Sequence, residues 1–81
     1  MRATIETRLN LDYDASRVKK QFDEIIDFIL YSKNEKQLSD IVNKINSDGN
    51  SEFYHFNFRF ISNYFVVRQE GFNKDIVTVE L

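Results

Sequence analysis

The chain has no cysteine, no proline and no tryptophan, a single histidine and only two glycines. Without cysteine there are no disulfides and no thiolate chemistry, which suits a reducing compartment. One histidine and no cysteine rule out a conventional zinc site. Gly49 and Gly71 stand alone, so the sequence offers neither a phosphate-cradling loop nor a dinucleotide fingerprint. Its apolar runs are far too short to span a bilayer, and the N-terminus lacks the charged-then-apolar pattern of a secretory signal. These absences lead to the expectation of a cytoplasmic protein with no membrane partner, no metal, no cofactor and no catalytic constellation.

Charge of one sign is also missing. Thirteen acidic side chains against eleven basic ones leave a net charge of −2 and a pI near 5.3. A protein that coats DNA or RNA is basic as a rule, so bulk electrostatics argue against that role.

What the chain has in quantity is aromatic surface. Eight phenylalanines and four tyrosines fall within 81 residues, read here as one domain, 1–81. A chain of that length buries only about 60–65% of its unfolded surface, so aromatic burial carries much of its stability. Tyr54, Phe56, Phe58 and Phe60 occupy every second position, with His55, Asn57 and Arg59 between them. That is the period of a strand with one buried face. A two-residue Ser62-Asn63 reversal then sets Phe60 against Phe65, Phe58 against Val67 and Phe56 against Gln69 on one side. Ile61 meets Tyr64, Arg59 meets Val66, Asn57 meets Arg68 and His55 meets Glu70 on the other. A slip by one residue would turn the phenylalanines into water, so the pattern fixes the register.

Residues 2–11 alternate as well and predict a first strand with Ala3, Ile5, Leu9 and Leu11 on one side and Arg2 and Arg8 on the other. Asp12 and Asp14 offer helix N-cap carboxylates, Asp14 being the better placed. Val18, Phe22, Ile25, Ile26, Ile29 and Leu30 follow at helical spacing. Phe28 and Tyr31 fall off this stripe and are expected to pad a neighbouring helix. A second stripe, Leu38, Ile41, Val42 and Ile45, lies about 150° round the axis from the first at roughly 100° per residue. One straight helix cannot bury both stripes on one core, so the chain breaks near Ser32–Asn34. There Ser32-Lys33-Asn34-Glu35 reads as a capping box led by Ser32, and Gly49 reads as a left-handed cap after the second helix. After a looser turn at 71–75, Val77, Val79 and Leu81 share one side of a last strand, with Ile76, Thr78 and Glu80 on the other. Pairing Glu70 with Ile76 sets Val67 beside Val79. The fold class that follows is α+β: a four-stranded, mostly antiparallel sheet with two helices packed on one face, in the order β-α-α-β-β-β. The sequence leaves open where the first strand joins the sheet.

Asp12-x-Asp14-x-Ser16 has the start of a calcium loop, but Arg17 stands where that loop requires glycine, and helix capping accounts for the acids. His55 is expected to act as a cross-strand partner of Glu70. The uncovered sheet face is where recognition is expected, because four of the five arginines, Arg2, Arg8, Arg59 and Arg68, take outward strand positions there. Guanidinium forks beside Tyr64 and His55 suit phosphate, carboxylate or a base. The candidate partner-binding residues are therefore Arg59, Arg68, Arg8, Tyr64 and His55, with Arg59 and Arg68 free of a cross-strand acid.

The expected function is that of a small stand-alone binding protein acting by surface recognition on a protein partner. Nucleic acid is expected only through the open sheet face, and a structural homodimer is an alternative. Phe, Tyr, Met, Ile, Asn and Lys are abundant and Gly, Ala, Arg and Pro scarce. That usage suggests a low-GC bacterium or its phage, and so a phage-encoded inhibitor of a host or defence protein. The element order, with the tyrosine-led strand Tyr64-Phe65-Val66-Val67 after an alternating one, resembles RelE/ParE-type toxins. That resemblance implies ribonuclease activity with Arg59 and Arg68 as phosphate contacts.

Overall fold

The structure, a computed structural model, describes residues 1–6, 8–47 and 52–81. The elements come in the expected order: β1 (Arg2–Ile5), α1 (Ala15–Tyr31), α2 (Glu35–Ser47), β2 (Phe56–Ile61), β3 (Tyr64–Gln69) and β4 (Asp75–Glu80). All strand pairs are antiparallel, and the sheet runs β1-β4-β3-β2. β1 thus joins at the free side of β4, and β1 and β2 are the two edges.

The aromatic hairpin takes the register its alternation predicts, from Phe56 opposite Gln69 to Ile61 opposite Tyr64. Ser62 adopts a left-handed φ of 52° at the reversal. The strand itself starts at Phe56. The Phe56 N–H bonds back to the Phe53 carbonyl at 2.9 Å, so Tyr54 belongs to the turn before it. One face of the sheet carries the core: Phe65, Val67, Val77 and Val79, each at most 1% exposed, against Val18, Ile25 and Ile29 of α1 and Leu38 and Val42 of α2. Phe28 packs edge-on against both Phe53 and Phe58, with ring centroids 5.8 and 5.9 Å apart. Phe28 thus pads the aromatic hairpin and the turn before it rather than a neighbouring helix. Tyr31 and Leu30 are exposed, so neither the padding roles of Phe28 and Tyr31 nor the core position of Leu30 holds.

Four further expectations are corrected. β1 ends at Ile5 rather than continuing to residue 11. The segment after it is held elsewhere by Gln69, whose Oε1 accepts from the Asn10 N–H at 2.9 Å and whose Nε2 donates to the Asn10 carbonyl at 2.7 Å. β3 and β4 pair two residues away from the expected register, with Val67 opposite Val77 and Phe65 opposite Val79. The turn begins early, at Glu70: Gly71 takes φ 86° and the Phe72 N–H bonds to the Gln69 carbonyl. A shift of two keeps every side chain on its face, but a bulge then sets Arg68 opposite Asp75. Ile76, expected outward, is buried in the core at 4% exposure.

The chain does break between α1 and α2, but Ser32 is not the cap of α2. Its Oγ donates back to the Phe28 carbonyl at 2.8 Å and finishes α1. Asn34 caps α2 through Oδ1, which accepts from the Gln37 N–H at 2.9 Å, and Gln37 Oε1 accepts from the Lys33 N–H at 2.8 Å. Residue 34 wins because its side chain sits three residues before an unpaired first-turn N–H, while Ser32 still lies on the end of α1. The Gly49 cap lies outside the described residues.

Candidate functional site

Both helices pack on one side of the sheet, and the opposite side presents three cross-strand rows. Ile61, Tyr64, Glu80 and Arg2 form one, Arg59, Val66, Thr78 and Thr4 the next, and Asn57, Arg68 and Asp75 the third. Ile61 and Tyr64 are 42% and 43% exposed, whereas Val66 is 5% exposed although it points away from the helices. Arg59 is exposed and has no carboxylate within ion-pair distance among the described residues. The face therefore offers a half-exposed isoleucine and tyrosine beside an uncommitted guanidinium.

Arg68 is different. Its Nε stands 2.6 Å from Asp75 Oδ1, a pairing made by the bulge that slides Asp75 opposite it. The expectation of a free Arg68 is thus corrected, because a hairpin considered without its third strand hides that acid. Arg8 also leaves the sheet face. It lies in the irregular segment after β1, beside a shallow hollow lined by Phe72, Lys74 and Gln69. Of the five candidate residues, the structure brings Arg59, Arg68 and Tyr64 together and sets Arg8 and His55 apart.

His55 pairs with Glu70 only through the backbone, the Glu70 N–H donating to the His55 carbonyl at 2.7 Å. Its ring turns the other way, and Nε2 lies 2.9 Å from Asp14 Oδ2, with 15% of the His55 side chain exposed. The cause is local. Asp14 begins α1 in a left-handed conformation, φ 55° and ψ 43°, and makes no side-chain cap. Its carboxylate is thereby aimed at the chain entering β2. Around the pair, the His55 N–H donates to Gln21 Oε1 at 3.0 Å and Arg17 Nη1 donates to the Tyr54 hydroxyl at 3.0 Å. The Tyr54 hydroxyl first, then the Asp14 carboxylate, raise the Arg17 pKa above its ordinary value. The His55 ring has Asp14 as its hydrogen-bond partner among the described residues, with no hydroxyl or thiol placed for activation. This corner clasps the start of α1 to the start of β2, at the cost of about 1–3 kcal/mol for the left-handed aspartate.

Three polar side chains that hydropathy alone does not place are buried, each at a junction between elements. Gln21 serves the entry to β2, Ser32 the corner between the helices, and Gln69 the strap after β1. Gln69 carries a readable signal: it shares parity with the buried phenylalanines, so it needs a partner inside.

No family model, no curated protein and no solved structure matches this chain. Among the described residues, no helix is long and apolar enough to cross a membrane.

Proposed function

We propose that the protein is a small binding protein that recognises a protein partner through the open face of its sheet. The observation that carries this reading is Arg59: exposed, unpaired among the described residues, and in the row beside half-exposed Ile61 and Tyr64. Tyrosine and arginine are the side chains that anchor protein interfaces, the one by area at low entropy cost, the other by forked hydrogen bonds. The mixed charge around them, Arg2, Glu80, Arg68 and Asp75, forms a polar rim suited to a protein surface better than to bare phosphate. Arg68 serves that rim as one half of an ion pair. Because Asp75 occupies it, one of the two phosphate contacts implied by a RelE/ParE-like ribonuclease is already committed. A phage origin and an inhibitory role rest on residue usage alone.

The test is affinity capture from a nuclease-treated lysate of a low-GC bacterium, comparing the parent with an Arg59→Ala, Tyr64→Ala double variant. The expected outcome is a protein captured by the parent and weakened about tenfold or more in the variant, with melting nearly unchanged. A partner held equally well by both chains would remove the open face from consideration. Growth arrest on expression, lost with Arg59→Ala, would favour the ribonuclease instead.

A further inference from the structure

The two edges of the sheet differ in what they offer a second chain. The Glu6 N–H donates to the Ile76 carbonyl at 2.7 Å, so the even-numbered residues of β1 bond to β4. The N–H and C=O groups of Ala3 and Ile5 therefore turn outward, and no strand receives them among the described residues. Apolar surface lies beside that edge. Met1, Ile5 and Leu30 are 46%, 39% and 69% exposed, around a groove of about 330 Å³ floored by Ile29 and Val79.

We propose that the protein forms a homodimer in which two β1 strands pair antiparallel about a two-fold axis at Thr4, joining the sheets into one of eight strands. The register follows from parity. With Thr4 opposite Thr4 of the second copy, Ala3 meets Ile5 and Ile5 meets Ala3, and every outward-turned group of both residues is engaged. The same register sets Arg2 opposite Glu6 of the second copy, and symmetry repeats that contact at the other end of the seam. Opposite charges thus meet on the open face. On the helix side a large side chain meets a small one, and Leu30 and Met1 of both copies border the seam. A two-fold axis perpendicular to the sheet keeps all four helices on one side.

The other edge resists the same pairing. The Glu70 N–H bond to the His55 carbonyl shows that the odd-numbered residues of β2 face β3. The N–H and C=O groups of Phe58 and Phe60 turn toward the free edge, and a two-fold pairing that engages both is centred on Arg59. It would set that guanidinium against its own copy, a like-charge contact that protects the edge.

Sedimentation equilibrium tests this directly. The expected mass is twice the 9.7 kDa of one chain at high concentration, falling to one chain on dilution. Thr4→Lys, which places like charges on the axis, and Arg2→Glu, which opposes Glu6 of the second copy, should each raise the dissociation constant about tenfold or more. Adding Glu6→Arg to Arg2→Glu should restore it. Circular dichroism of the diluted Thr4→Lys and Arg2→Glu variants should match the parent, because both positions are exposed in one chain. Isotope-filtered contacts between Ala3 of one copy and Ile5 of the other complete the test. A single-chain mass at millimolar concentration overturns the proposal, and so does a dimer that both Thr4→Lys and Arg2→Glu leave intact.

Discussion

Val77 and Ile5 are neighbours across β4 and β1 on the same face of the sheet, yet Val77 is fully buried and Ile5 is 39% exposed. The stripes of α1 and α2 converge over β2, β3 and β4 and stop short of β1. Leu30, on the flank of α1 nearest that strand, is left in the open with it. Parity along a strand says which face a side chain takes. It does not say whether anything lies above it.

The largest way to break this contrast is at its covered side. Phe65 is fully buried and stacks against Phe58 and Phe60, with ring centroids 5.9 and 4.9 Å apart. Phe65→Ala should destabilise by about 3–5 kcal/mol, much of the stability of a small domain. Chemical denaturation that shows a loss below about 1 kcal/mol would mean that the helices do not seal this half of the face.

Gln69 closes the same covered half from below, gripping both backbone groups of Asn10. Gln69→Leu keeps the bulk and strands a half-buried donor and acceptor at Asn10, so about 1 kcal/mol or somewhat more should be lost. The Asn10 amide should exchange with solvent far faster in the variant. An unchanged exchange rate would show that the strap is held by something other than this side chain.

Asn34 caps the start of α2, the helix that brings Leu38 and Val42 into the core. Asn34→Ala should cost about 1 kcal/mol through loss of the cap. Ser32→Ala should act on the end of α1 instead, since the Ser32 hydroxyl serves the Phe28 carbonyl. Amide protection separates the two: the first variant should loosen Gln37 and the second the last turn of α1.

The register of the hairpin was legible, since Phe56, Phe58 and Phe60 at period two admit a single pairing across a two-residue turn. Burial was not: Phe60, expected inside, is 42% exposed, and Tyr54 lies in the turn before the strand. The helix break was equally legible, because two stripes on opposite sides of one axis cannot share a core. What parity hid was anything that moves in steps of two. The β3–β4 slip changed every partner from Tyr64 to Val67 without changing a face. The one-residue bulge beyond it gave Arg68 its acid, while Ile76, expected outward, is buried. Alternation also overran at the first strand, because residues 8–11 alternate in sequence while the chain there follows Gln69 and the Asn10–Asp12 turn. The open-face site was half legible for the same reason. Arg59 and Tyr64 depend on the hairpin register alone. Arg8 depended on strand length, and His55 on a left-handed aspartate that no pattern announces.

The smallest expected effect lies at the uncovered margin and is the sharpest test of the contrast. Ile5→Thr keeps a β-branched side chain that suits a strand and replaces a methyl-bearing branch with a hydroxyl. Deep in a core that hydroxyl would be an unpaired buried group and a serious loss. At Ile5 water reaches the side chain, so the change should stay within about 0.5 kcal/mol, as for an ordinary surface substitution. The measurement belongs at dilutions where the chain is a single copy, because pairing through β1 would cover this residue and raise the cost. A loss of more than about 1 kcal/mol in the single chain would place Ile5 inside the core after all. A loss that appears only as concentration rises would instead locate the missing cover in a second copy.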